Sequence, residues 1–198
     1  MIASLLIGAT RFLVGGHAHW LGCAPGPEQR IYFANHGSHL DTLLIWAALP
    51  PPLRATTHPV AAADYWGGPG LKAQARRALN LVLLERGGKG RGVDSLQPLR
   101  QRLDLGRSLI IFPEGTRGGE RLPGPFKAGL HRLAEAYPAV DLIPVHLDNP
   151  ARAFPKGAFL PAPIACAVRF GAAMRLVPGE DRAAFLDRAR LAVVELAT

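Results

Sequence analysis

Short apolar segments that favour strands alternate along this chain with segments of helical periodicity, and this alternation limits the fold more than any other feature. The predicted strands cover residues 30–35, 79–86, 108–115, 141–147 and 164–171. The predicted helices cover residues 41–49, 69–79, 93–103, 126–137 and 181–197. We therefore expect a single α/β domain over residues 1–198, with a central mixed or largely parallel sheet flanked by helices.

The length and organisation of the chain agree with one domain. Its 198 residues suffice for one well-buried core and are few for two. No fixed internal repeat and no shift in composition marks a boundary between domains. The proline-rich stretch ALPPPLRATTHP, residues 48–59, predicts a loop.

The net charge is +8, and the basic residues are 19 Arg and only 4 Lys. Such a charge favours an anionic partner, which could be nucleic acid, a phospholipid surface or a phosphorylated small molecule, although codon composition alone also produces an excess of Arg. Nucleic acid is disfavoured because no recognised motif is present and no patch interleaves aromatic residues with Arg. The two cysteines, Cys23 and Cys166, have no C-x-x-C spacing, which fits a reducing compartment.

The N-terminal stretch MIASLLIGATRFLVGG is the one segment with the composition of a targeting or membrane element. Its apolar run is interrupted at Arg11 and is shorter than the roughly 20 residues that span a bilayer. No positive charge precedes the run, so it does not have the pattern of a signal peptide. Its apolar residues recur at helical spacing, and residues 1–20 predict an amphipathic helix that packs on the domain or lies in a membrane interface.

The stretch NHGSHLD, residues 35–41, concentrates polar side chains just after a predicted strand. Ser38 and Asp41 have the spacing of a capping box, which would explain them structurally. His36 has no capping role, and a carboxylate at Asp41 could fix its tautomer and leave the other ring nitrogen as a base. A metal site made of His36, His39 and Asp41 is the weaker alternative because no second cluster of ligands is evident.

Two further clusters follow predicted strands, where ligands gather in open α/β sheets. The first is FPEGTR, in which Arg117 could grip a phosphate and Gly115 would allow a ligand to approach the backbone. The second is LLERGGKGRG, a basic glycine-rich segment that contains Arg86. A solvated turn and a solvated basic loop are the structural alternatives. Neither cluster contains a nucleotide-binding motif.

In this order, the clusters resemble the PlsC-type family of glycerophospholipid acyltransferases, the 1-acylglycerol-3-phosphate acyltransferases. NHGSHLD is similar to the family's N-H-x-x-x-x-D motif, and FPEGTR matches its F-P-E-G-T-R block. PFKAG and LIPVHL resemble the segments that follow in the family, so the likeness covers roughly residues 30–150. The resemblance implies the glycerolipid acyltransferase fold. It implies membrane lipids as partners and neither a cofactor nor a metal.

Two departures from the family pattern bear on the acceptor. The family's middle motif often reads G-x-x-F-I-x-R, whereas this chain has Asn80 for Gly and Leu83 for Phe and keeps Arg86. Alanines replace the basic residue that often precedes the DYWGGP segment, although Asp64 keeps an acidic group. The acceptor could accordingly be lysophosphatidate, another lysophospholipid or a lyso-amino-acid lipid.

The resemblance implies that His36, oriented by Asp41, removes a proton from the hydroxyl of a lysophospholipid as it attacks an acyl thioester. The thioester would be acyl-CoA or acyl carrier protein. The resemblance assigns the phosphate end of the acceptor to residues of the second motif and to nearby basic residues: Arg86, Glu114, Gly115, Thr116, Arg117 and Lys127. Ser38 lacks the G-x-S-x-G context of a nucleophile, so direct transfer is favoured. We expect a cytoplasmic protein held peripherally on the inner face of the membrane.

Two other classes of function use the same residues. A hydrolase with the same His36 and Asp41 would release fatty acid without an acceptor. A lipid-binding module would bind anionic vesicles whether or not His36 were present. Product analysis and vesicle binding separate these classes from an acyltransferase.

Overall fold

The computed structural model describes residues 8, 15–38, 41–85, 94–118, 122–148 and 166–198. The strands in this part of the chain are β1 (Gly15–Trp20), β2 (Arg30–Ala34), β3 (Thr57–Ala62), β4 (Val82–Leu84), β5 (Ser108–Ile111), β6 (Asp141–Asp148) and β7 (Cys166–Phe170). The helices named here are α1 (Asp41–Ala48), α2 (Pro51–Thr56), α3 (Ala63–Trp66), α4 (Leu71–Ala78), α5 (Gln97–Asp104), α6 (Gly129–Ala136) and α7 (Arg182–Glu195).

The strands form one sheet in the order β1-β7-β6-β2-β5-β3-β4. All neighbouring strands run parallel except β6 and β7, which pair antiparallel. Crossover connections that carry helices are the usual way to join parallel strands, which is why strand and helix patterns alternate in the sequence. The prediction of a single α/β domain with a mixed, largely parallel sheet is confirmed.

Helices cover both faces of the sheet, and the side chains of β2 alternate between the two cores. Tyr32 and Ala34 belong to the core on the face that α1 covers, together with Leu44 and Ile45 of that helix. Ile31 and Phe33 belong to the core on the opposite face, where α5, α6 and α7 pack. All five residues of β2 are buried, because a central strand of a parallel sheet has no face in solvent.

The predicted N-terminal helix over residues 1–20 is wrong for residues 15–20, which form strand β1. This strand pairs in parallel with β7, and the ring of Trp20 stacks on Phe170 with 4.0 Å between the ring centroids. Its partner is supplied by the far end of the chain, so local periodicity carried no signal for it. Residues 1–7 and 9–14 of the predicted helix lie outside the described residues.

The predicted loop over residues 48–59 is also wrong. It contains the end of α1, the whole of α2 and the start of β3. Pro51 and Pro52 occupy the first positions of α2, where a missing backbone N–H costs nothing. Pro59 is the last residue of β3 that pairs with β5, and pairing with β4 begins at Val60. The prolines therefore lie at the few positions where helices and strands accept them.

Other predicted elements are present with shorter bounds. In residues 79–85, the described part of the predicted segment 79–86, the strand is the three-residue β4, which follows a turn in which Asn80 has a φ of 53°. The segment 108–115 is a strand only as far as Ile111. In the described part of the chain, no helix combines the length and the hydropathy needed to cross a membrane.

Candidate active site

The site begins where β2 ends, and Asn35 links this end to β6. Its Nδ2 atom donates to the carbonyl of Leu147 at 3.1 Å, and its Oδ1 atom accepts from the backbone N–H of Leu147 at 2.8 Å. The side-chain amide thus pairs with β6 as a further strand residue would, beyond the last main-chain pair at Ala34 and Val145. This contact fixes the point at which the chain leaves the sheet and enters the loop that carries His36.

His36 and Asp41 form the pair that the sequence predicts. Nδ1 of His36 lies 2.7 Å from Oδ2 of Asp41. The Asp41 side chain is fully buried, whereas 16% of the His36 side chain is exposed. A carboxylate on Nδ1 holds the proton there and leaves Nε2 as the basic nitrogen of a neutral imidazole. The arrangement can take a proton from a hydroxyl group and return it later.

The same carboxylate oxygen also organises the start of α1. Oδ2 of Asp41 accepts from the backbone N–H groups of Gly37 at 2.7 Å and of Ser38 at 2.9 Å. The contact with Ser38 is the half of a capping box in which the acidic side chain reaches back to the first residue of the box. Capping and orientation of the histidine were alternatives in the sequence. In the structure one buried oxygen atom does both.

The His36 ring is held on a second side by an aromatic contact. Phe112, the residue that follows β5, stacks on it with 4.3 Å between ring centroids and 22° between ring planes. The hydrogen bond to Asp41 fixes the rotation of the imidazole within its plane, and the Phe112 ring fixes the plane itself.

The segment Phe112–Gly118 also holds the backbone of His36. The N–H of His36 donates to Oε1 of Glu114 at 2.8 Å, and its carbonyl accepts from the N–H of Gly118 at 2.8 Å. Oε2 of Glu114 accepts from the N–H of Gly124 at 3.0 Å. Glu114 is only 9% exposed, so its carboxylate lies between two loops and not in solvent.

Gly115 and Lys127 lie against each other at the turn of this segment. Gly115 has a φ of 71°, a conformation that glycine adopts without strain. A β-carbon at this position would lie 2.6 Å from Nζ of Lys127. The backbone of Lys127 is tied to the same turn, because its N–H donates to the carbonyl of Pro113 at 2.9 Å. The missing side chain of Gly115 therefore makes room for the ammonium group.

These groups open on a cavity of about 580 Å³ between the sheet and helices α5 and α6. Its polar wall contains His36, Thr116, Arg117 and Lys127 beside Gly115, and the acidic residues Asp64 and Glu85 line another part of the cavity. Its apolar wall contains Val60, Leu84, Leu99, Ile111, Leu130 and Leu133. The cavity can accordingly take a molecule with an anionic end and a hydrocarbon part, with a basic nitrogen beside it.

The structure brings most of the predicted site residues together. The cavity is lined by His36, Gly115, Thr116, Arg117 and Lys127. Asp41 does not line it but is hydrogen-bonded to the His36 ring. Glu114 does not line the cavity. Arg86 and His39 lie outside the described residues, so the predicted role of Arg86 stays a prediction. Within the described ranges, no group of three or more His, Cys, Asp or Glu side chains is arranged to hold a metal ion.

Sequence reasoning assigned no role to Asn35, Phe112 or Gly118. All three lie in or beside the recognised motifs, but their partners are distant in sequence, so local spacing carries no signal for these contacts.

The thiol of Cys166 is a further buried group near the His36 and Asp41 pair. Burial, and secondarily the negative charge of Asp41, raises its pKa to about 11. It stays protonated at neutral pH and is a poor nucleophile.

Two known acyltransferases resemble this chain in sequence. The chain is 27% identical over 167 residues to a 1-acyl-sn-glycerol-3-phosphate acyltransferase from Limnanthes alba, which covers 80% of this chain and 57% of that protein. It is 38% identical over 76 residues to a protein of the same name from Helicobacter pylori, which covers 37% of this chain and 31% of that protein. The chain spans about half the length, or less, of these curated relatives.

The fold has a close counterpart among solved structures. The crystal structure of the 1-acyl-sn-glycerophosphate (LPA) acyltransferase PlsC from Thermotoga maritima matches with a TM-score of 0.70 at 22% identity, covering 98% of this chain and 79% of that one. The family model described as Acyltransferase matches residues 24–148, more than half of this chain and the part that carries both motifs. This protein belongs to the Acyltransferase family.

Proposed function

We propose that this protein transfers a fatty acyl group from an acyl thioester to the free hydroxyl of a lysophospholipid, with lysophosphatidate as acceptor and phosphatidate as product. One observation carries the proposal: the histidine oriented by a buried carboxylate opens on the same cavity as Arg117 and Lys127. A base beside two cations fits a substrate that has both a hydroxyl group and a phosphate monoester. The names of the relatives from Limnanthes alba and Helicobacter pylori agree with this choice of acceptor.

In the proposed reaction, Nε2 of His36 takes the hydroxyl proton as the acceptor oxygen attacks the thioester carbonyl carbon. A C–O bond forms, the C–S bond breaks, and the imidazolium returns the proton to the departing thiolate. The buried Asp41 carboxylate stabilises the positive charge that His36 carries in between. Ser38 is only 2% exposed, which supports direct transfer over a serine-bound acyl intermediate.

The phosphate end of the acceptor is assigned to Arg117 and Lys127, with Arg86 as a further predicted contact. The glycine at position 115 lets the phosphate approach the backbone beside Lys127. The apolar wall would take part of a hydrocarbon chain. Acyl-CoA and acyl carrier protein present the same thioester to His36, and either serves as donor in this proposal. The protein would act in the cytoplasm, held peripherally on the inner face of the membrane, without a cofactor.

The proposal is tested by acyl transfer from a long-chain acyl-CoA to lysophosphatidate, with phosphatidate and free thiol followed together. We expect the wild type to form both products in equal amounts. His36→Ala should lower kcat by a factor of about 10² to 10⁴. His17→Ala is the matched control, because His17 is an exposed histidine on the edge strand β1, which lies three places from β2 in the sheet.

Two outcomes would count against this function. Thiol released without phosphatidate would indicate hydrolysis or a different acceptor. A second contrary outcome is that neither product appears, whether the donor is acyl-CoA or an acyl carrier protein. If anionic vesicles then bind wild type and His36→Ala equally, the protein would be a lipid-binding module and not an enzyme.

A further inference from the structure

Both oxygen atoms of the Glu114 carboxylate accept hydrogen bonds from the protein's own backbone. One oxygen accepts the N–H of His36 at 2.8 Å, and the other accepts the N–H of Gly124 at 3.0 Å. Each oxygen atom of the side chain therefore has its own backbone N–H donor. Glu114 is 78 positions from His36 and 10 from Gly124, so it joins two separate loops.

The position of Glu114 separates it from the rest of its motif. Phe112, Pro113, Gly115, Thr116 and Arg117 all line the cavity, and of the six residues of the FPEGTR motif only Glu114 does not. Its residue exposure is 9%. A carboxylate placed there would repel a phosphate and cannot reach one without giving up its backbone donors.

One of the two hydrogen bonds of Glu114 holds the backbone of His36, the proposed base. The backbone of His36 is held at both polar groups by the segment that follows β5, with Glu114 on its N–H and Gly118 on its carbonyl. Asp41 and Phe112 hold the ring. Among the described residues, Glu114 supplies the only side-chain hydrogen bond to the His36 backbone. Its loss would leave a part-buried N–H unpaired and would free the loop on which the imidazole is mounted.

We propose that Glu114 is a positioning residue for His36 and does not bind the acceptor. Its carboxylate joins the histidine loop to the Gly124 segment, and thereby sets the distance between Nε2 and the hydroxyl bound in the cavity. This inference rests on the proposed acyl transfer for its kinetic consequences. The hydrogen bonds on which it depends can be tested without any activity.

The kinetic test compares Glu114→Gln with Arg117→Ala. Glutamine has the same shape, but its NH₂ group must face one of the two backbone N–H donors, so one contact is lost. We expect Glu114→Gln to lower kcat by about 10- to 100-fold and to leave the acceptor KM within about twofold, because displacing a base lowers the rate and not the binding of substrate. Arg117→Ala should raise the acceptor KM. A Glu114→Gln protein with a raised acceptor KM and an unchanged kcat would overturn the proposal.

A second measurement separates failure of this inference from failure of the proposed function. Amide hydrogen exchange of the wild type, followed by NMR, should show protection of the His36 and Gly124 amides comparable to that of Gly118. In Glu114→Gln at least one of the two should exchange much faster, whereas in Arg117→Ala both should stay protected. Unprotected His36 and Gly124 amides in the wild type would refute the positioning role, whether or not the protein transfers acyl groups and whether or not the variant folds.

Discussion

Gly115 and Lys127 are matched in space: the glycine leaves open the volume in which the ammonium group lies. A β-carbon at position 115 would stand 2.6 Å from Nζ and 3.0 Å from Cδ and Cε of Lys127. The atoms in the way belong to the end of a flexible side chain, so they can move. A side chain at position 115 would therefore displace the Lys127 ammonium group from the cavity wall.

Gly115→Ala should both lower the stability of the fold and weaken binding of the acceptor, and a control variant can separate the two effects. Alanine at a φ of 71° is strained by about 1–2 kcal/mol, and the displaced Lys127 should raise the acceptor KM severalfold. Gly106→Ala is the matched control, since Gly106 has a φ of 70° and nothing within 4 Å of its added β-carbon. Urea unfolding should give similar losses for both variants, with a raised KM only for Gly115→Ala. An equal KM for both would show that Lys127 does not contact the acceptor.

Asp41→Asn should lower turnover more than it lowers acceptor binding. Oδ2 of Asp41 accepts from the His36 ring and from two backbone N–H groups, and an uncharged amide stabilises an imidazolium poorly. We expect kcat to fall by a factor of about 10² to 10⁴. Asp104→Asn, at an exposed aspartate that accepts from the Tyr137 hydroxyl, should leave steady-state kinetics unchanged. Nearly full activity in Asp41→Asn would mean that His36 needs no carboxylate.

Phe112→Leu should impair the site without unfolding the protein. The variant keeps apolar volume but removes the ring that stacks on His36 at 4.3 Å, so the imidazole gains freedom to tilt. We expect kcat to fall by about tenfold while the acceptor KM changes little. Phe126→Leu provides the comparison, because that ring packs edge-on against Phe33 in the core and not against His36. Equal kinetic losses in the two variants would argue against a role for the stack.

Asn35→Ala should destabilise the fold, because both backbone groups of Leu147 that Asn35 binds are buried. Leaving buried polar groups unpaired costs about 1–3 kcal/mol, to be measured as a lower urea midpoint at an unchanged m-value. Gln29→Ala removes two hydrogen bonds to the carbonyls of Leu103 and Arg107 at a more exposed place, and should cost less. If Gln29→Ala proved the more damaging change, Asn35 would not be fixing the end of β2.

Glu180 should make a pH-dependent contribution to stability. Arg188 donates to both of its carboxylate oxygens, at 2.7 Å and 2.6 Å, and these hydrogen bonds hold the pKa of Glu180 below its ordinary value of 4.5. A pKa that is lower in the folded state stabilises the protein above the unfolded pKa, and this stabilisation disappears as the pH falls through the folded pKa.

The free energy of unfolding of the wild type should thus exceed that of Glu180→Gln at pH 7, by no more than about 1 kcal/mol because the pair is partly exposed. The difference should shrink steadily below pH 4.5. Denaturant titrations of both proteins at pH 7, 4 and 3 would measure it. A difference that is constant over this range would exclude the ion pair as its source.

Much of the architecture was predictable because buried strands and amphipathic helices have local patterns. Strands β2, β5 and β7 and helices α1, α4, α6 and α7 lie within the predicted segments, and β6 and α5 extend only one residue beyond theirs. Such segments are recognisable because a strand buried on both faces needs an apolar run. The contact between His36 and Asp41 was predictable for a related reason. The two residues are five positions apart across the start of a helix, so the loop between them can adopt few conformations.

Tertiary structure decided the features whose partners are remote in sequence. Strand β1 exists because β7 pairs with it, and β3 tolerates Pro59 because its neighbours change there. Asn35 binds Leu147 across 112 positions, and Glu114 binds His36 across 78. The sequence by itself thus identified which residues are candidates for the chemistry. Only the packing of distant segments decided that Arg117 and Lys127 face the cavity while Glu114 turns away to hold the base, because a side chain's direction depends on contacts that no local pattern encodes.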